Sequence, residues 1–341
     1  MRKKIAGIVT LFASQNFGAF LQSYAMQTVL ERYGYTAEFL KYSSLDIHEL
    51  IFMVKTKNIR LALFRLKQYR KYLQSRQYLH IAKRKYTDEQ LDLAVIGSDT
   101  LWDVQNPTIH PTDFYLGKGL KAKRIIAYAP SANGTTAQEF AKVYGDEAPF
   151  ASFTFIGVRD QNTSNLVKDI TGETAMVVLD PTLLLDKKDY VVVAPKYTDK
   201  YVLVYGYSFT EDERAVICEE ARKRNAKIIS VGLLNTWCDE NIAATVPEFL
   251  GYIQNAECVF TGTFHGTIFS MIMEKNFVSF ARKNYKVLDL LQKLGMESRN
   301  GSEDIGRCGE LCGTEIDYEV FRSRLLELRN ASIDYLEQAI K

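Results

Sequence analysis

The stretch Val259-Phe-Thr-Gly-Thr-Phe-His-Gly-Thr-Ile-Phe-Ser-Met-Ile-Met273 decides how the chain is to be read. A short apolar run gives way to Gly262-Thr263, and a second apolar run begins after His265-Gly266. That pattern is a strand turning into a helix, and open α/β sheets place their chemistry at such junctions. The chain has four histidines. His48 falls in a polar stretch before a basic segment, His80 lies inside that segment, and His110 is in a Pro-bounded loop. His265 alone sits between a hydrophobic strand and a hydrophobic helix.

Outward from this junction the same alternation recurs. Apolar runs at 5–12, 37–40, 91–96, 124–129, 153–158 and 176–179 read as strands, with a helix at 20–33 ended by Gly34. Residues 180–189 read as an interdomain passage. The alternation then restarts: strands at 201–205, 227–231, 258–261 and 277–280, and helices at 210–225, 247–255 and 267–274. A long helix at 316–339 closes the chain. Strands alternating with helices favour parallel sheets covered on both faces. The expectation is two doubly wound Rossmann-like domains, 1–185 and 186–341, facing a cleft. By analogy of architecture this is the GT-B plan of glycosyltransferases.

The 341 residues are ample for two domains, and the net charge of +2 by itself implies no polyanion partner. The distribution is less even. Residues 50–87 hold eleven Lys or Arg and no Asp or Glu, so the remainder carries −9. Interleaved with Ile51, Phe52, Leu61, Leu63, Phe64, Leu66, Tyr69, Tyr72 and Leu73, this reads as a basic helical insertion in the first domain. It is either a core-packed helix with a solvated face or a surface for an anionic membrane. Nothing resembles a nucleic-acid module.

Five cysteines at irregular spacing do not make a disulfide framework, and Cys308 and Cys312 lie four apart in a Gly-rich loop without a second pair. Residues 1–13 imitate a leader but read as a first strand. No apolar run is long enough to span a membrane. No Walker sequence, H-E-x-x-H, nucleophile elbow or D-x-D motif appears, so no resident cofactor or metal is implied.

Four junctions could carry chemistry. At Thr263-Phe-His-Gly-Thr267 the helix start welcomes an anion, Gly266 and Gly262 permit close approach, and His265 suits acid–base work near neutrality. Arg159, after the strand at 153–158, could fork onto a carboxylate or phosphate, or pair with Asp160. Gly97-Ser98-Asp99 with Trp102 could hold a sugar between carboxylate and indole, or be a cap beside a core Trp. Asn16-Phe-Gly18 could bind a ligand or simply form a turn.

In order along the chain, Asn16-Phe-Gly-Ala-Phe-Leu-Gln-Ser-Tyr-Ala25, Val95-Ile-Gly-Ser-Asp-Thr-Leu-Trp102, Ile126-Ala-Tyr-Ala-Pro-Ser131, Gly157-Val-Arg-Asp160, Val178-Leu-Asp-Pro-Thr182 and Gly262-Thr-Phe-His-Gly-Thr267 resemble the polysaccharide pyruvyl transferase family. The resemblance implies a GT-B-like enzyme that moves the enolpyruvyl carbons of phosphoenolpyruvate onto a sugar as a ketal. It implies an acceptor that is often lipid-linked, and hence work at the inner face of a cell membrane. It implies a functional His at His265 and Arg at Arg159. Some members carry an Arg where this chain has Thr263, a departure that Arg282, Lys283 or Lys286 could offset.

The expected site therefore has His265, Arg159 and Asp99 as catalytic residues. Thr263, Gly266, Thr267, Arg282 and Lys283 fall on the donor side, and Asn16, Gly18, Ser98 and Trp102 on the acceptor side. Two other readings remain: a GT-B glycosyltransferase with a nucleotide-sugar donor, and a non-catalytic family member that binds without turnover.

Overall fold

The central strands here are largely apolar on both faces, which is what a sheet covered on both sides requires. In the computed structural model residues 3–41, 56, 58–82, 91–107, 109, 111–145 and 147–341 are described. His48, His110 and residues 42–55, 57 and 83–90, with five of the eleven basic side chains of the basic segment, lie outside them.

The chain forms two compact units. The first contains a six-stranded, all-parallel sheet of β1 (Lys4–Val9), β2 (Tyr35–Phe39), β3 (Leu93–Ile96), β4 (Ile125–Tyr128), β5 (Phe155–Val158) and β6 (Met176–Val177). Their order is β2-β1-β3-β4-β5-β6. β3 is buried at all four positions. The helix Phe17–Arg32 follows β1, started by Asn16 and ended where Gly34 adopts φ 81°. The helix Gln161–Thr171 follows β5, capped by Asp160. The core beneath is Val9, Ile96, Trp102, Tyr115, Phe140, Phe150 and their neighbours.

The second unit contains a five-stranded, all-parallel sheet of β7 (Tyr201–Tyr205), β8 (Lys227–Val231), β9 (Glu240–Ile242), β10 (Val259–Thr261) and β11 (Phe277–Ser279). The order is β11-β10-β7-β8-β9. Capping boxes at Thr210/Glu213 and Thr245/Glu248 start the helices Glu211–Lys223 and Val246–Asn255. The helix Phe264–Ile272 begins three residues earlier than periodicity indicates, because Thr263 caps it. This brings His265 into the first turn.

Two parts of the expected domain division are corrected. The described residues 56 and 58–76 belong to the second unit rather than forming an insertion in the first. The reason is the docking of the helix Ile59–Ser75. Gln68 exchanges two hydrogen bonds of 3.0 Å with the backbone of Ala244, Ser75 Oγ accepts from Val246 N at 2.9 Å, and Lys71 meets Glu248 at 3.1 Å. Residues 327–341, all but the last of them in the terminal helix Glu319–Ile340, belong to the first unit. Tyr335 Oη donates to Ala127 O at 2.9 Å and Ser332 Oγ accepts from Leu179 N at 2.9 Å. Gly157 makes room for this: a Cβ there would stand 2.7 Å from the Tyr335 ring.

β9 and the helices Ala137–Tyr144, Tyr285–Lys293 and Cys308–Gly313 have no counterpart in the pattern reading. Cys308 and Cys312 sit buried on the last of these helices rather than in a loop, and all five cysteines are free thiols. No helix among the described residues is long and apolar enough to cross a membrane.

Candidate functional site

Each sheet has one place where the chain reverses its direction of winding, and there the carboxyl ends of two adjacent strands open a crevice. In the first sheet that place lies between β1 and β3, and in the second between β7 and β10. The candidate residues fall mainly at these two places.

In the first unit the loop after β3 is tightly constrained. Gly97 has φ 117°, and a Cβ there would lie 2.2 Å from Tyr128 O, so only glycine fits. Ser98 is buried. Its carbonyl accepts from Thr10 Oγ1 at 3.0 Å and its hydroxyl donates to Asp180 Oδ2 at 3.3 Å. Asp99 has φ 78°, a conformation Asp tolerates better than most side chains, and its carbonyl accepts from Ser131 N at 2.8 Å. The carboxylate keeps 15% of its surface exposed. Oδ1 accepts from Thr100 N at 2.8 Å and lies 3.9 Å from Arg159 Nη1.

Arg159, at the end of β5, is the surprise of this cluster. Its side chain is 5% exposed and Nη1 donates to Asp180 Oδ2 at 3.1 Å. Asp180 is itself buried, and its other oxygen accepts from Thr182 N and Oγ1 at 3.1 and 2.7 Å. With Asp180 and Asp99 both beside it, the guanidinium's charge is offset within the cluster. The expected fork onto an anion is thereby replaced by a support beneath Asp99. Burial, and then the charge of Asp180, push the Tyr128 hydroxyl well above its ordinary pKa, so a neutral phenol lines the back of the cluster. Asp160, the alternative partner for Arg159, instead caps its own helix through Thr163 and accepts from Ser131 Oγ at 2.6 Å.

The acceptor-side residues are largely turned to structural tasks. Trp102 is fully buried, donates its indole N–H to Tyr115 O at 2.8 Å and packs on Phe150 and Phe153. It offers no face to a sugar, which corrects the expected platform. Asn16 Oδ1 accepts from Gly18 N at 2.8 Å and from Ala19 N at 3.3 Å. The pair is therefore a helix cap, and Gly18 is buried with its N–H satisfied. Ser98 positions the loop rather than facing outward.

In the second unit Thr263 Oγ1 accepts from Gly266 N at 3.0 Å. His265 follows at the second helical position, 9% exposed, with its ring edge-on to Phe264 at 5.2 Å. Packing alone already requires a glycine at 266. A Cβ there would meet Thr261 Oγ1 at 2.1 Å, Thr263 Oγ1 at 2.6 Å and Tyr205 at 2.8 Å. Gly262 is different, because the nearest atom to its Cβ would be Phe280 O at 3.8 Å. Thr267 is buried, bonded to Thr263 O at 3.0 Å and Ser279 Oγ at 2.8 Å, and so is removed from the donor side.

The basic candidates differ among themselves. Arg282 donates to Glu213 Oε1 at 2.9 Å and to Ser208 O at 3.0 Å, and Glu213 holds its pKa up. It is committed to that carboxylate rather than to a donor. Lys283 is exposed, in a groove also lined by Asp212, Glu213 and Glu303. Lys286 is half-buried in the first turn of the helix Tyr285–Lys293.

Asp180, Thr10 and Ser131 are members of the first cluster that pattern reading did not assign to a site. Asp180-Pro181-Thr182 carries only a capping signal, since Pro at the first helical position after Asp is common at helix starts. Its pairing with Arg159 has no trace in spacing.

The family model for polysaccharide pyruvyl transferase matches residues 16–284. No curated protein sequence matches the chain. Among solved structures, a protein described as a UDP-N-acetylglucosamine 2-epimerase from Listeria monocytogenes aligns with TM-score 0.51 and 8% identity, over 98% of this chain and 97% of that one. Another UDP-N-acetylglucosamine 2-epimerase aligns with TM-score 0.53 and 8% identity, over 98% and 96%. The UDP-GlcNAc 2-epimerase of Methanocaldococcus jannaschii gives 0.51 and 10%, over 97% and 99%. At such identities these likenesses establish the GT-B-type α/β fold and nothing of the chemistry.

Proposed function

The chain belongs to the polysaccharide pyruvyl transferase family, and from that premise we propose that this transferase moves the pyruvyl group of phosphoenolpyruvate onto a sugar as a ketal. The observation that carries the reading is His265, a buried imidazole in the first turn of a helix at the switch point of the second sheet. That is where an acid and an anion-binding helix start are needed together.

In the proposed reaction a proton is delivered to the methylene carbon of phosphoenolpyruvate. The cation formed at the adjacent carbon is attacked by one sugar hydroxyl, whose proton is taken up by a base. Loss of phosphate leaves a second cation, and attack by a second hydroxyl, whose proton passes to the departing phosphate, closes the ketal. His265 is proposed as the acid. The start of the helix at Thr263, with Lys286 or Lys283, would receive the donor's carboxylate and phosphate. Asp99 is proposed as the base on the acceptor hydroxyl, with Arg159 as its charged support and Asp180 holding Arg159 in place. No resident cofactor enters this scheme. The acceptor is proposed to be a polysaccharide unit or its lipid-linked precursor.

The test is calorimetric titration of the wild type with phosphoenolpyruvate and, separately, with UDP-N-acetylglucosamine, repeated for His265→Ala. Heat from phosphoenolpyruvate that weakens in the variant is the expected result. Saturable binding of the nucleotide sugar with none of phosphoenolpyruvate overturns the donor assignment.

A further inference from the structure

The helix Ile59–Ser75 has one side that the unit it belongs to leaves uncovered. Its buried residues are Gln68, Tyr72 and Ser75, which dock through the bonds to Ala244 and Val246 described above. At about 100° of rotation per residue, these three lie on the opposite side from Ile59, Leu63, Leu66 and Leu73. Those four are 76%, 63%, 43% and 40% exposed. They account for four of the twelve large apolar side chains exposed among the described residues, and all fall within about 80° of arc. Scattered exposed apolar residues need no explanation, but a stripe along one helix does.

Charge identifies the occupant. Arg70 sits within the stripe and Arg60 and Lys67 along one flank, all three exposed. No Asp or Glu occurs anywhere in residues 50–87. We propose that this face docks the protein on an anionic phospholipid surface, with Ile59, Leu63, Leu66 and Leu73 entering the interface and Arg60, Lys67 and Arg70 meeting headgroup phosphates.

A second copy of the chain is a poorer fit. A two-fold contact would set the same patch against itself, bringing its cations together with no carboxylate in the segment to separate them. The proposal does not depend on the donor or on the reaction.

The test is flotation of the full chain with phosphatidylcholine vesicles, with and without phosphatidylglycerol, at low and high salt. The wild type is expected to float only with the anionic vesicles and to be released by salt. Removing one charge, as in Arg60→Gln, Lys67→Gln or Arg70→Gln, should weaken partition about fivefold. Leu63→Ser with Leu66→Ser should abolish flotation while leaving the melting temperature unchanged, since both side chains already face solvent. Equal flotation with neutral and anionic vesicles, or none, overturns the proposal. So does a dimer in light scattering that the Leu63→Ser, Leu66→Ser variant dissolves, which would assign the stripe to a second copy.

Discussion

Arg159 and Asp180 form a buried ion pair, Nη1 to Oδ2 at 3.1 Å, between the end of β5 and the residue before Pro181. A buried pair adds little over an apolar replacement, but removing one partner strands the other charge. Asp180→Asn should therefore cost roughly 3 kcal/mol or more in urea unfolding, read as a lowered midpoint at unchanged slope. Arg159→Met combined with Asp180→Leu should be less damaging than the sum of the two single changes. An additive double variant would show that the pair is not coupled.

Asp99 and His265 differ from that pair in being replaceable without stranding a charge. Asn at position 99 keeps an oxygen for Thr100 N and tolerates the positive φ. Asp99→Asn and His265→Ala should thus keep the wild-type melting temperature to within a few degrees while lowering turnover about 10²–10⁴-fold. Phosphate release from phosphoenolpyruvate in the presence of acceptor measures this. Wild-type turnover in either variant removes that residue from the mechanism.

The contrast between these residues also shows what the sequence makes legible. β1, β3 to β5, β7, β8, β10 and β11 are mostly apolar and largely buried, so each announces itself. β9, Glu240-Asn-Ile242, is half-buried and polar, an edge strand with no pattern to detect. His265 was legible because its junction is flanked by two apolar runs. Trp102 beside Asp99 reads equally well as a sugar platform or as core, and only packing against Phe150 and Phe153 decides. Arg159 with Asp180, 21 residues apart, is a tertiary pairing that no local period encodes. The docking of the helix Ile59–Ser75 on Ala244 and Val246, more than 170 residues away, is another.

Two glycines four residues apart should respond oppositely to the same change. Gly266→Ala places a methyl within 2.1–2.8 Å of Thr261, Thr263 and Tyr205, forcing the helix start away from β7 and β10. Overpacking of this kind costs about 1–3 kcal/mol, so a lowered melting temperature is expected. Gly262→Ala meets nothing nearer than 3.8 Å and should fold as the wild type does. If a ligand approaches this backbone, Gly262→Ala should weaken phosphoenolpyruvate binding in calorimetry without loss of stability. Unchanged binding would place the ligand elsewhere.

Acid should loosen the helix Ile59–Ser75 before it unfolds the second unit. Lys71 Nζ meets Glu248 Oε1 at 3.1 Å, and the same carboxylate caps its own helix through Thr245 N at 2.7 Å. Burial pushes the Glu248 carboxyl up, but the Thr245 bonds and the Lys71 ammonium outweigh it and hold the pKa below the ordinary 4.5. A carboxyl depressed on folding contributes stability that is present above its unfolded value and lost as pH falls through its folded value. Protection of the amides in 59–75, measured by hydrogen exchange and corrected for the intrinsic pH dependence, should accordingly drop below about pH 4.5. Glu248→Gln should show the lowered protection already at pH 7 and lose the acid dependence. Protection in 59–75 that is unchanged in Glu248→Gln would mean that Gln68 and Ser75 hold the helix without this ion pair.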